Sequence, residues 1–191
     1  MRQRLDRDYF ESLYSESRDP WGFETSEYEK KKYERTLEAL GGRHFGRALE
    51  AGASIGVFTE MLAPYCDELL AVDLSEKALA VARERLSGQQ HVRIEQRTLP
   101  EEMPRGPFDL IVASEILYYW PREVVLRGLR RFEEELAPRG LLVAVHWRRE
   151  TRTYPMQGDE VHELLLENTR LTNVWSVSEP EYRLDLFEGL G

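Results

Sequence analysis

Cysteine is almost missing from this chain. Cys66 stands alone among 191 residues, which excludes an internal disulfide framework and a cysteine-rich metal centre. Long apolar runs are missing too: none approaches the roughly 20 residues that cross a bilayer, so no membrane span is expected. The opening stretch, MRQRLDRDYF, has arginines with no apolar core behind them, so it does not read as a secretory signal and the expected compartment is the cytoplasm. Basic charge is scarce. Against 35 Asp and Glu there are 26 Lys and Arg, a net charge of −9, and phosphate-backbone binding requires concentrated cations. No nucleic-acid partner is therefore expected. Arginines do gather over Arg122–Arg131, which reads as a solvated helix face. A second group, Arg148, Arg149 and Arg152, either decorates a cleft rim or binds substrate. His146, Asp159 and His162 lack a metal-ligand spacing, so no metal is expected. Repeats, low-complexity tracts and linkers are absent as well, and the length suits one domain.

What is present is alternation. The first 40 residues form a helical preface, in which Ser26-Glu27-Tyr28-Glu29 has the form of a capping box and Gly41-Gly42 a stop. Arg47–Glu50 then reads as a strand, Gly56–Ala63 as a helix and Glu68–Asp73 as a strand. A helix capped by Ser75 runs to Leu86, followed by strands at His91–Gln96 and Phe108–Ala113. Pro121 opens a helix ending near Leu136, and Gly140–Trp147 is a fifth strand. A helix over about Asp159–Thr169 precedes strands near Leu171–Val177 and Tyr182–Phe187. Strand–helix alternation of this kind implies a mostly parallel sheet with helices on both faces. The last two strands have no helix between them and imply an antiparallel edge hairpin. The expected fold is α/β, a Rossmann-like sheet of seven strands in a single domain. Residues 1–44 form a helical N-terminal lid and residues 45–191 the core.

The most informative segment is Glu50-Ala51-Gly52-Ala53-Ser54-Ile55-Gly56, where the first strand hands over to a helix. A glycine there lets backbone approach a ligand, because no Cβ intervenes. Open α/β sheets bind ligands in that crevice. Asp73 follows Gly52 by 21 residues, at the end of the second strand, where a carboxylate meets ribose hydroxyls. A dinucleotide fingerprint would place glycines at 54 and 57; here they are Ser54 and Val57. Glu50, ahead of the loop, repels a pyrophosphate but suits an ammonium and a sulfonium. That favours S-adenosylmethionine over a nicotinamide dinucleotide.

Glu50–Gly56 resembles the first motif of class I methyltransferases, and Ala71-Val72-Asp73-Leu74-Ser75 the second. Phe108–Leu117, with Ser114 and Glu115, is similar to their fourth-strand motif, and Leu136–Val143 to the one before strand five. The resemblance implies S-adenosyl-L-methionine as cofactor and S-adenosyl-L-homocysteine as product. It carries Glu50, Gly52, Ser54, Gly56, Asp73, Leu74 and Ser114 onto the cofactor. Where the family often has an acidic residue for the adenine amine, this chain has Arg97-Thr98-Leu99-Pro100, so Thr98 and the Leu99 backbone take that place. Asp19-Pro20-Trp21-Gly22-Phe23, Tyr28–Tyr33, His146-Trp147-Arg148 and Gly158–His162 narrow the resemblance to the nodulation-protein-S type. Those enzymes N-methylate a deacetylated amino sugar in a chito-oligosaccharide. A small-molecule or oligosaccharide acceptor is thereby implied. O-methylation of a small hydroxylated metabolite and a non-catalytic cofactor-binding module are the alternatives.

Methyl transfer requires an aligned, neutral nucleophile and a nearby proton acceptor. Glu115, Tyr118 and His146 follow strands four and five and are the candidate catalytic residues. His146 serves either as a base or as a hydrogen-bonded structural residue. Tyr119 and Trp120 either flank a sugar ring or sulfonium or pack in the core. Asp159 caps a helix or, with His162, meets a cationic amine. Trp21 and Phe23 plug the N-terminal helix onto the sheet or close over the cofactor, with Tyr28 and Lys32 on the inner side.

Overall fold

The computed structural model describes residues 3–191, and the chain divides into two compact units. Residues Asp6–Thr98 form the first. It contains helices α1 (Arg7–Glu16) and α2 (Glu27–Ala39), then β1 (Phe45–Ala51), α3 (Val57–Leu62), β2 (Cys66–Asp73), α4 (Glu76–Arg85) and β3 (Val92–Gln96). Its strands run parallel in the order β3-β2-β1, with Glu50 opposite Ala71 and Asp73 opposite Gln96. Strands covered on both faces need continuous apolar residues, and Leu49, Ala51, Ala71 and Val72 are fully buried.

Local chemistry sets the helix starts. Asp6, Ser26 and Ser75 each accept a backbone N–H three residues on, from Tyr9, Glu29 and Ala78, so each satisfies an otherwise orphaned donor. Helix α1 rests on α4, whose first amide, at Glu76, donates to the Glu11 carboxylate across 2.6 Å. An acidic group there complements the helix dipole.

The second unit comprises Leu99–Gly191 and the segment ending at Leu5. It contains β4 (Phe108–Ser114), a 3-10 turn (Leu117–Tyr119), α5 (Arg122–Glu135), β5 (Leu136–Trp147), α6 (Gly158–Asn168), β6 (Thr172–Ser178) and β7 (Tyr182–Glu188). The strand order is β4-β5-β7-β6; β4 and β5 are parallel and β7 is antiparallel to both neighbours. The seven strands make the expected mostly parallel Rossmann-like sheet with an antiparallel C-terminal hairpin.

Two details depart from the sequence expectation. Strand β5 begins at Leu136 rather than Gly140, and Pro138-Arg139-Gly140 becomes an irregularity inside it. Pairing jumps there from Phe108–Leu136 to Leu110–Leu141, with Arg139 at φ 58°. Helix α6 is capped by Gln157, not Asp159: Gln157 and Glu160 form a reciprocal box that leaves Asp159 in the first turn. Helices α1 and α2 and the first three strands lie in one compact unit. Gly158 is demanded by packing, since a Cβ there would stand 2.1 Å from the Trp147 carbonyl oxygen. Among the described residues, no helix is long and apolar enough to cross a membrane, and no group of three or more His, Cys, Asp or Glu is placed to hold a metal ion.

Candidate active site

Strand β1 ends in the glycine loop of the first unit. Gly52, Ser54 and Gly56 adopt φ values of 86°, 51° and 78°, a left-handed region that costs any residue with a Cβ about 1 kcal/mol. The amides of Gly52 and Ala53 donate to the Val72 carbonyl at 2.8 and 3.0 Å, which folds the loop back over β2. The Ser54 amide donates to one Asp73 carboxylate oxygen at 3.0 Å, and the Ser75 amide to the other at 2.9 Å. Each oxygen keeps a second lone pair for a ligand hydroxyl. Burial pushes the Asp73 pKa up, opposed by these amides.

Gly56 has a different task from Gly52. A Cβ on Gly56 would meet the Ala82 Cβ at 2.9 Å, so this glycine lets the start of α3 pack against α4. Glu50 is 3% exposed, and one of its carboxylate oxygens has no hydrogen-bond partner. Burial raises its pKa to about 8, eased by the nearby Thr59 hydroxyl and reinforced by the Asp73 charge. An unpartnered buried acid is costly, and a cation is the group that would relieve it.

Around this loop lie candidates that the sequence named and one, Tyr14, that it did not. Tyr14, on α1, shares a 2.5 Å hydrogen bond with the Ser54 hydroxyl; nothing in the sequence marked it. Trp21 is half-buried, stacked on Phe23 at 5.6 Å and edge-on to Tyr14 at 5.7 Å. The Asp19 carboxylate accepts the Phe23 and Glu24 amides at 2.9 and 2.8 Å, fixing that turn. Lys32 is 2% exposed, 2.9 Å from Glu29 and 5.3 Å from the Tyr28 ring centre. Leu74 offers its carbonyl to Gln96 at 3.0 Å, and Thr98 accepts from Arg7 at 3.4 Å.

The second unit holds the other cluster. Leu99 opens it, with its carbonyl accepting from Arg4, and Ser114 ends β4 half-buried beside Val145. Next comes Glu115 at φ 54°. Its carboxylate accepts from the Tyr118 hydroxyl at 2.5 Å and from the Trp147 amide at 2.9 Å. Tyr118, Tyr119 and Tyr154 form an aromatic cluster with ring centres 4.6–4.9 Å apart. Burial holds the Tyr118 and Tyr119 pKa values well above ordinary phenol; Glu115 adds to this for Tyr118, and Tyr154 for Tyr119. Tyr118 is therefore a proton donor to Glu115 and not a base. The sequence assigned no role to Tyr154.

His146 does not present an open nitrogen to a ligand. It has no solvent exposure; its Nε2 accepts from the Leu117 amide at 3.2 Å, and its Nδ1 lies 3.1 Å from His162 Nε2. His162 Nδ1 lies 2.6 Å from the Asp185 carboxylate. Of the two readings open for His146, the geometry matches the hydrogen-bonded structural one. Asp185 was missed, although an aspartate between Leu184 and Leu186 on a strand was a visible signal. Asp159 pairs with Arg148 at 3.0 Å, and Arg149 with Glu181 at 2.6 Å.

Comparison with known proteins now decides the family. The family model described as nodulation protein S (NodS) matches residues 6–151. The chain belongs to the nodulation protein S family. A nodulation protein S from Azorhizobium caulinodans is 36% identical over 114 residues, covering 59% of this chain and 55% of that one. One from Sinorhizobium fredii is 32% identical over 127 residues, covering 65% and 59%. The chain thus spans a little over half the length of these curated relatives. The crystal structure of N-methyltransferase NodS from Bradyrhizobium japonicum WM9 in complex with S-adenosyl-L-homocysteine superposes with a TM-score of 0.85. It is 27% identical, over 96% of this chain and 99% of that one. That structure shares the fold over 96% of this chain; the quoted motifs up to Arg148 fall within the family match, and Gly158–His162 lies beyond it.

Proposed function

We propose that the chain is an S-adenosylmethionine-dependent N-methyltransferase of the cytoplasm, acting on the amine of a small molecule or oligosaccharide, namely a deacetylated amino sugar. The observation that carries the cofactor reading is the pairing of chemistries in the first unit. A carboxylate bound through both oxygens to backbone amides, Asp73, stands in one loop system with Glu50, a buried acid with an unpartnered oxygen. A ribose diol fits the first and a cationic group the second. A pyrophosphate would meet Glu50 unfavourably. Gly52 and Ser54 supply the close backbone, Leu74 and Thr98 of the same unit meet the adenosine, and α1 with the Trp21 loop, Tyr28 and Lys32 serves as the lid. Gly56 contributes through packing.

S-adenosylmethionine, when bound, supplies an electrophilic methyl group on a sulfonium. The chain must bring a neutral nitrogen to it and remove that nitrogen's proton. The Tyr118 proton is committed to Glu115, so the phenol oxygen accepts a hydrogen bond from an amine N–H, and Glu115 is the acceptor for the proton lost. The faces of Tyr119 and Tyr154 suit the apolar face of a sugar ring and a cationic nitrogen. Cofactor binding and acceptor choice are tested together by incubating the protein with labelled S-adenosylmethionine and glucosamine oligomers, their N-acetylated forms, or phenols. Label on the free amine alone is expected. Equal methylation of amide or phenol overturns the amine assignment, and no cofactor binding overturns the whole reading.

A further inference from the structure

The buried chain Leu117–His146–His162–Asp185 has only one arrangement of protons. A backbone N–H can only donate, so the Leu117 amide at 3.2 Å makes His146 Nε2 an acceptor. In a neutral imidazole the proton then sits on His146 Nδ1, which donates to His162 Nε2 at 3.1 Å. His162 in turn carries its proton on Nδ1 and gives it to Asp185 at 2.6 Å. Every donor is matched to one acceptor, and all three side chains are without solvent exposure. The chain runs from β7 through α6 and β5 to the turn after β4.

That turn is the one bearing Glu115, Tyr118 and Tyr119. We infer that His162 and Asp185, acting through His146, are positioning residues that hold the Leu117 turn and thereby the Glu115–Tyr118 pair. The inference that this pair needs holding for turnover rests on the methyl-transfer reading above; the positioning itself does not.

A surplus proton exposes the design. Suppose His162 gains one. Its Nε2 then donates, so His146 Nδ1 must accept and the proton moves to His146 Nε2. Suppose instead that His146 gains it; the result at Nε2 is the same. Either way an N–H faces the Leu117 N–H, two donors with no acceptor, and the turn loses its anchor. The groups around the chain set where this occurs. Burial keeps His162 neutral, with Arg183 on β7 acting the same way, while Asp185 on β7 and Asp159 on α6 oppose it. Tyr118 packs edge-on against His146 at 5.2 Å and brings Glu115 with it. Asp185 is held ionised: burial works to raise its pKa, but the bond from His162 and its charge bring the net shift down.

The experiment reads protons and amides, not turnover. Two-bond proton–nitrogen spectra of both histidines assign their tautomers, while hydrogen exchange follows the Leu117 and Ser54 amides as pH falls. At neutral pH, His146 and His162 should both carry their proton on Nδ1 alone. In the acid step where this pattern is lost, Leu117 should lose at least tenfold in protection, corrected for intrinsic exchange, while Ser54 keeps its own. His162→Leu, which breaks the chain, should show the low Leu117 protection at neutral pH. His162→Gln carries one acceptor and one donor without an ionisable group. It should retain Leu117 protection at neutral pH and shift the pH of the step, because only His146 of the two histidines then remains to take the proton. A proton on His146 Nε2 at neutral pH overturns the inference. So does Leu117 protection that is constant through the step, or lost together with Ser54. If the wild-type and Gln variants behave as stated yet no acceptor is methylated, the positioning stands and the functional reading falls.

Discussion

The Ser54 amide donates to the Asp73 carboxylate across 3.0 Å, so the glycine loop and the end of the second strand form one hydrogen-bonded unit. The loop is set by the same carboxylate that is expected to meet the cofactor. Asp73→Ala should therefore cost more than its ligand bonds. Affinity for S-adenosylhomocysteine should fall by about 1.5–3 kcal/mol, the range for charge-assisted hydrogen bonds. The Ser54 amide should also lose exchange protection. Calorimetry giving unchanged affinity on folded protein contradicts the ribose assignment.

Glu50 makes the cofactor site sensitive to pH. Its folded pKa, raised to about 8 by burial, means that the folded state holds a proton the unfolded chain has released. That stability is fully present below the ordinary carboxyl pKa and is lost as pH rises through about 8. Between pH 5 and 8 the cost is on the order of 3 kcal/mol. A cation at Glu50 reverses the balance, so cofactor affinity should rise over the same window with release of a proton. Glu50→Gln should flatten both trends. Wild-type and Gln profiles that coincide, in thermal melts and in titration calorimetry, sink the assignment.

Gly52 and Gly56 should fail differently when substituted. Gly56→Ala forces its Cβ to 2.9 Å from that of Ala82, and with its positive φ should cost about 1–3 kcal/mol of stability. Gly52→Val should abolish cofactor binding while circular dichroism stays near native. Retained binding in folded Gly52→Val would place the cofactor elsewhere.

Tyr118→Phe removes the donor to Glu115 and the oxygen assigned to the amine. Glu115→Gln removes the proton acceptor. Each should lower kcat on the order of 10²-fold, the lower range for general acid–base catalysis, with cofactor affinity within a factor of about two. Stopped-flow turnover with parallel calorimetry separates the two effects. An equal loss in affinity would make these residues cofactor contacts instead.

The fold and the course of the glycine loop were legible because they depend on local chemistry. The Ser26 and Ser75 caps and the spacing from Gly52 to Asp73 are short-range features, and each appears where the sequence put it; strand order along the chain followed too, though β5 begins at Leu136 and not Gly140. The cluster of the second unit was legible only as a list of candidates. Glu115, Tyr118 and His146 were found by their place after apolar strands, but position cannot tell whether a histidine nitrogen is open or occupied. That depended on Asp185, 39 residues beyond His146, and on the antiparallel pairing of β5 with β7. Tyr14 was illegible for the same reason: its partner Ser54 lies 40 residues away on another element. Asp159 was misplaced as a cap because Gln157 and Glu160 form a reciprocal box ahead of it.

The central claim is that this chain moves a methyl group from S-adenosylmethionine to an amine nitrogen. Isotope-labelled methyl donor incubated with glucosamine oligomers, followed by nuclear magnetic resonance of the product, locates the methyl carbon directly. The account predicts a single N-methyl signal, coupled to the sugar carbon that bears the nitrogen, and none from acetylated oligomers. An O-methyl signal, or labelled donor left unconsumed by folded, cofactor-bound protein, contradicts it.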